Sequence, residues 1–230
     1  MNLIVYVEGV SEEMFVNRQL RPHLQSYGWS RVTPIGVATS LTPNGKRGGL
    51  VNWQAVEQDL RALFGQYPGP DYRFTTLWDF YETPDSFPGF AQARAIAPGK
   101  DRAAVVEAAL SAHFGEPRFL PYVQMFEFEA LVLAALDGLK ELNSSHASAL
   151  EALQTECERI GDFETINDGP DTHPARRIEA VLPGFLRTKV DDGPSALRRV
   201  GLDSPRRWCP RFNQWLTRLE KIGASRGVLG

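Results

Sequence analysis

The sequence predicts an α/β fold, a mostly parallel sheet of about four strands flanked by helices, followed by a mostly helical C-terminal extension. Short apolar runs alternate with segments of helical spacing through residues 1–136, the pattern of strand–helix–strand units. Two of those runs stop on an acid, Leu3–Val7 at Glu8-Gly9 and Arg73–Trp78 at Asp79. Beyond Leu136 the helical spacing continues without a further strand. The expected division is therefore a core over residues 1–136 and a basic helical extension over 137–230 packed on it.

Each element has a local reason. Leu3–Val7 reads as the first strand, and Ser11 as the N-cap of a helix with Glu12 and Glu13 in its first turn, where the dipole favours acids. Phe15, Val16 and Leu20 recur on one face of that helix. Arg31–Ala38 reads as a second strand, and Pro34 places it at a sheet edge or a bulge, because proline donates no ladder hydrogen bond. Ser40–Gly49 is turn-rich; helical spacing returns at Trp53, Val56, Leu60, Leu63 and Phe64. Arg73–Trp78 is the third strand, Glu82–Gly89 a loop and Arg102–Phe114 a helix. Arg118–Met125 is the fourth strand, with Phe126–Leu136 turning helical at once. Thr172-His173-Pro174 predicts a helix start with Thr172 as N-cap and Pro174 just inside. Trp208, Phe212 and Trp215 are expected to pack the last helix against the body.

Composition narrows the class. The chain totals 25 Lys/Arg against 28 Asp/Glu, yet residues 171–230 hold 12 Lys/Arg against 6 Asp/Glu. An acidic front suits a cation site and a basic tail suits phosphate contacts. No apolar run reaches bilayer length and the N-terminus has no signal-peptide pattern, so a cytoplasmic protein without membrane contact is expected. Cys157 and Cys209 lack metal-ligand spacing, and no disulfide is expected.

The chemistry is expected at the strand ends. In open parallel sheets ligands collect outside the carboxyl ends of the strands, so Glu8 and Asp79 can meet there although far apart in sequence. Glu127 and Glu129 follow the fourth strand, and Glu12 lies one turn beyond Glu8. Carboxylates crowded together repel, and an all-oxygen set selects Mg²⁺ or Mn²⁺. Candidate phosphate contacts are Lys46 and Arg47 in the glycine-rich Gly45–Gly49 turn, with Arg176, Arg177 and Lys189 in the basic tail. The bland readings are helix-dipole acids, solvated turns and a capping His173. Walker A, G-x-S-x-G, H-E-x-x-H and G-x-G-x-x-G patterns do not occur.

The opening Val7-Glu8-Gly9-x-Ser11-Glu12-x-x-Phe15 resembles the start of Toprim-like domains. Thr75–Tyr81, Phe87-Pro88-Gly89 and Pro121-Tyr122-Val123-Gln124-x-x-Glu127-x-Glu129-Ala130-Leu131 are similar to an uncharacterised Toprim-related family of prokaryotic abortive-infection and defence loci. The tail fits as well, through His173-Pro174-x-Arg176-Arg177, Gly193-Pro194 and Cys209-Pro210-x-Phe212-x-x-Trp215. The resemblance implies a Mg²⁺-dependent nuclease related to overcoming-lysogenisation-type enzymes, acting on nucleic acid, with an ABC- or SMC-like ATPase as partner. It gives Glu8 the role of acid/base or metal ligand and Asp79 that of the first acid in a D-x-D pair. The second acid is replaced by Tyr81, whose phenol, with an ordinary pKa near ~10, is a poor Mg²⁺ ligand. Glu82, Asp85, Glu127 or Glu129 is then left to complete the shell. Otherwise the chain is a catalytically weak or inactive subunit of an ATPase complex.

Overall fold

The computed structural model describes residues 1–37, 41–42, 45–46, 50, 52–81, 83–97, 99, 101–166, 169 and 171–225. Its strands, in chain order, are β1 (Asn2–Val7), β2 (Arg31–Gly36), β3 (Leu41–Thr42), β4 (Gly45–Lys46), β5 (Tyr72–Asp79), β6 (Phe119–Leu120) and β7 (Val123–Gln124). Among the described residues the main sheet has five strands in the order β2-β1-β5-β6, with β7 also on β5. Every pairing in it is parallel, and β1 registers Val7 against Leu77 of β5. The expected α/β class holds.

Apolar side chains cover both faces of the sheet, which is why β1 reads as a continuous hydrophobic run. Leu3, Val5 and Val7 face one side, joined by Leu77. Ile4 and Tyr6 face the other, with Phe74 and Trp78. On the first side pack α1 (Val10–Phe15) and α2 (Arg21–Ser26), joined by a π-helical stretch, Val16–Leu20. On the second side lie α3 (Trp53–Gln66), α4 (Phe90–Ala95) and α5 (Asp101–Phe114).

The remaining helices are α6 (Glu129–Leu133), α7 (Leu136–Leu142), α8 (Ala147–Ile160), α9 (Pro174–Val181), α10 (Phe185–Val200), α11 (Asp203–Trp208) and α12 (Pro210–Ala224). Their apolar faces join the first side of the sheet. Trp215 of α12 stacks on Tyr122 at 4.5 Å and donates its indole N–H to Thr75 Oγ1 at 2.9 Å, so this tryptophan packs against the body as expected. Gly138 lets α7 cross α10 closely, because a Cβ there would stand 2.3 Å from the Ala196 carbonyl oxygen. Among the described residues no helix is long and apolar enough to cross a membrane. Cys157 and Cys209 are buried and free.

Several local expectations need correction. Ser11 lies inside α1, whose N-cap position is Gly9, without a side-chain cap bond. The second strand ends at Gly36 and lies at the sheet edge, as Pro34 foretold. The turn-rich Ser40–Gly49 segment contains the antiparallel pair β3–β4. The fourth strand is split into β6 and β7 at Pro121-Tyr122. Proline has no N–H to give, and the Thr76 hydroxyl bridges the gap by accepting from the Tyr122 amide at 2.8 Å and donating to its carbonyl at 2.7 Å. The continuous helix expected over Phe126–Leu136 is also absent. Phe126 sits at φ 64, a left-handed conformation unusual for a bulky residue, and α6 starts only at Glu129. At α9 it is His173, not Thr172, that occupies the N-cap position.

Candidate functional site

Because β1 and β5 are parallel neighbours in register, Glu8 and Asp79 leave the sheet at the same rim. The Asp79 amide donates to Glu8 Oε2 at 3.1 Å, across 71 positions of sequence. A cleft of about 520 Å³ opens there. Glu8, Asp79 and Tyr81 at the strand ends line it together with Ser11 and Glu12 of α1, as do Glu127, His173, Arg176 and Lys189 from later in the chain.

The acids are crowded. Glu12 is buried in the first turn of α1, and a Cβ on Gly9 would lie 3.1 Å from its Oε2, so glycine leaves room for that carboxyl. Burial, then the charges of Glu8 and Glu129, push its pKa up to about 8 against hydrogen bonds from the backbone. Burial and the charges of Glu8, Glu12, Glu129 and Glu127 likewise raise Asp79 well above its ordinary value. Among the described residues Asp79 Oδ1 is buried without a hydrogen-bond partner. Glu129 is raised by burial, an effect opposed by Lys189, whose Nζ lies 3.0 Å from Glu129 Oε1. For Lys189 itself burial pulls the pKa down, and Glu129, Glu127 and Asp79 together outweigh it and hold the ammonium charged.

Glu127 is held differently. Its Oε1 accepts from the Ala175 amide at 2.5 Å and lies 2.9 Å from His173 Nδ1, closing the N-terminus of α9 from a distance. His173 also stacks on Tyr81, with ring centroids 5.1 Å apart and planes at 27°.

The remaining expected contacts fall elsewhere. Arg177 donates to the Thr172 carbonyl and pairs with Glu156, so α9 presents Arg176 to the cleft and Arg177 away from it. Asp85 pairs with Arg94 and does not line the cleft. Arg47, Glu82 and the side chain of Lys46 lie outside the described residues. Among the described residues no three or more His, Cys, Asp or Glu side chains have the spacing of a formed metal cage.

Sequence reasoning undervalued Tyr81 and His173. The usable signal was the His173-Pro174 start, which fixes an imidazole at a helix N-terminus, together with an aromatic ring two residues past a strand-end acid.

Residues 7–220 match the family described as a domain of unknown function, DUF4276. The chain belongs to the DUF4276 family. That match runs from the last residue of β1 into α12, so both walls of the cleft lie inside the DUF4276 region. Among curated proteins nothing matches the chain. Among solved structures, the C-terminal region of the Burkholderia pseudomallei OLD protein is similar at 17% identity and a TM-score of 0.46, over 96% of this chain and 98% of that chain.

Proposed function

We propose that the cleft is a divalent-cation-dependent phosphodiesterase centre acting on nucleic acid. One observation carries the reading: Asp79 Oδ1 is buried without a donor among the described residues, beside four other acids whose charges raise its proton affinity. An unmet buried oxygen is costly, and a hard cation is the partner that relieves such crowding. The donor set fits Mg²⁺ or Mn²⁺, being all oxygen. A formed cage is not required, because Mg²⁺ is commonly held by one or two carboxylates with retained waters.

Glu8 and Asp79 would hold the ion, with Glu12 beside them. Glu129, already paired with Lys189, would support the site from behind, and Glu127 lines the same cleft with its Oε1 occupied at α9. When bound, such an ion activates water and stabilises a leaving oxygen. The chain itself fixes the Glu8 carboxylate through the Asp79 amide and ranges Arg176 and Lys189 opposite, where a phosphate charge would rest. A second reading, a non-catalytic subunit docked on an ATPase, is favoured by Tyr81, because its ring stacked on His173 supplies no second acid beside Asp79.

Cleavage of single- and double-stranded DNA and RNA, assayed with Mg²⁺ and Mn²⁺, tests the choice. The expected result is metal-dependent hydrolysis that Glu8→Gln abolishes. Full activity in Glu8→Gln would overturn the proposed chemistry. Inertness across metals and substrates, with co-purification of an ATPase, would favour the docked subunit.

A further inference from the structure

Tyr81 and His173 form one aromatic wall of this cleft, and we propose that the wall binds an unpaired nucleobase, making single-stranded nucleic acid the substrate class. The inference rests on the phosphodiesterase reading and deepens it.

The wall is rigid. The Tyr81 amide donates to the Phe126 carbonyl at 2.7 Å, and Arg94 donates to the carbonyls of Phe80 and Tyr81 at 3.3 and 3.2 Å. On the other side, His173 is tied to Glu127 and stands where α9 begins, on the residue before its leading proline. Two rings already stacked at 27°, one on a backbone held by Phe126 and Arg94 and the other tied to Glu127, cost little further ordering when a planar ligand joins them. Neither ring is sealed in the core: both line the cleft, and both are only partly covered.

Position gives the wall its chemistry. Tyr81 lies two residues beyond Asp79, and Arg176 and Lys189 line the same cleft as the acids. A ligand bridging these groups presents anionic oxygens to the cations and a flat apolar face to the rings. A nucleotide has both. In a duplex the base faces are already stacked on their neighbours, so a ring platform selects a strand whose base is free. The residue that weakens a second metal-ligand position thereby acquires a positive role.

The test uses the full chain carrying Glu8→Gln, so that no cleavage interferes, and fluorescence anisotropy with a short single-stranded oligonucleotide. The probes are the same strand annealed to its complement and a set in which one base at a time is replaced by an abasic sugar. The expected pattern is preference for the single strand, with about ten-fold weaker binding when one particular base is missing. Adding Tyr81→Ala should remove that base dependence, whereas Tyr81→Phe should keep it. Thermal melts of both variants check that each is folded. Base dependence that survives Tyr81→Ala, or Tyr81→Phe losing as much as Tyr81→Ala, overturns the stacking role alone. Failure of the parent chain to bind any nucleic acid overturns the phosphodiesterase reading and this inference with it.

Discussion

Helices α9 and α12 both begin with proline, after His173 and Cys209, and each N-terminus is closed by a buried glutamate distant in sequence. Glu164 accepts from the amides of Arg211 and Phe212 at 2.6 and 3.2 Å, and stands 3.4 Å from the Tyr122 hydroxyl and 3.3 Å from Gln124 Nε2. Glu127 accepts from Ala175 and meets His173. The two glutamates complete orphan helix donors in the same way and sit in opposite surroundings. Around Glu164 donors outnumber acids, with Arg211 adding its charge. Around Glu127 stand Glu8, Glu12, Asp79 and Glu129, and donors are short by at least the one Asp79 Oδ1 lacks among the described residues. The first region is satisfied by the fold itself; in the second, among the described residues, Asp79 Oδ1 is not.

Removing the finished acid should do the most damage. Glu164→Ala leaves the amides of Arg211 and Phe212 without their buried acceptor, while the Arg211 guanidinium keeps its pair with Glu107; at ~1–3 kcal/mol per orphaned donor the loss should be roughly 3–5 kcal/mol. At about 2–4 °C per kcal/mol for a chain of this size, the melting temperature should fall by on the order of 10 °C. A shift of only a degree or two would show that water replaces Glu164 and that the two helix N-termini do not differ in this way.

The open cluster should respond to cations instead. At pH 8, Mn²⁺ at about 100 times its dissociation constant should stabilise by about 2.7 kcal/mol, and Asp79→Asn should lose that gain. The sign with pH follows from the raised acids. Their folded-state pKa values lie above the ordinary carboxylate range, so their favourable contribution is full below about 4.5 and is lost as pH rises through Glu12's value of about 8. Stability without metal should therefore decline across that window, and the gain from Mn²⁺ should grow across it, vanishing near pH 5. A cation effect equal at pH 5 and pH 8 would place binding elsewhere.

A smaller effect distinguishes repulsion from simple burial. Asp79→Asn without metal should raise stability by about 1 kcal/mol at pH 8 and leave it unchanged at pH 5, while abolishing hydrolysis. Glu164→Gln should show no comparable gain at pH 8. Burial pushes Glu164 up to about 7, but its carboxylate there gains from amides and from Arg211, which a neutral amide serves less well.

The sheet was legible because its evidence is local: Leu3–Val7 and Arg73–Trp78 carry the pattern that folds, and parallel pairing then delivers Glu8 and Asp79 to one rim. Elements with non-local causes were not legible. The break at Pro121 is bridged by the Thr76 side chain, and Ser11 is displaced as cap because α1 starts two residues early, with its N-cap at the glycine that accommodates Glu12. The closing of α9 by Glu127 and of α12 by Glu164 spans 48 and 47 positions, beyond any capping pattern readable in sequence. For the same reason the Tyr81–His173 stack could not be seen as a unit.

The smallest effect lies between neighbours. Arg176 and Arg177 are adjacent on α9, one turned into the cleft and the other toward Glu156. Successive helical residues differ by about 100° in direction, so within one turn one arginine lines the cleft and the other turns away from it. Arg176→Ala should leave the melting temperature within the ~0.5 kcal/mol typical of surface changes. It should nonetheless weaken nucleic-acid binding and reduce the slope of log K against log salt by about 0.7–0.9, the counterion released at one phosphate. Arg177→Ala should leave binding and salt slope unchanged and cost about 1–2 kcal/mol of stability through its lost pair with Glu156 and its lost bond to the Thr172 carbonyl. If the two variants lose binding equally, the cations act through the general field of the basic tail, and the cleft does not direct the strand.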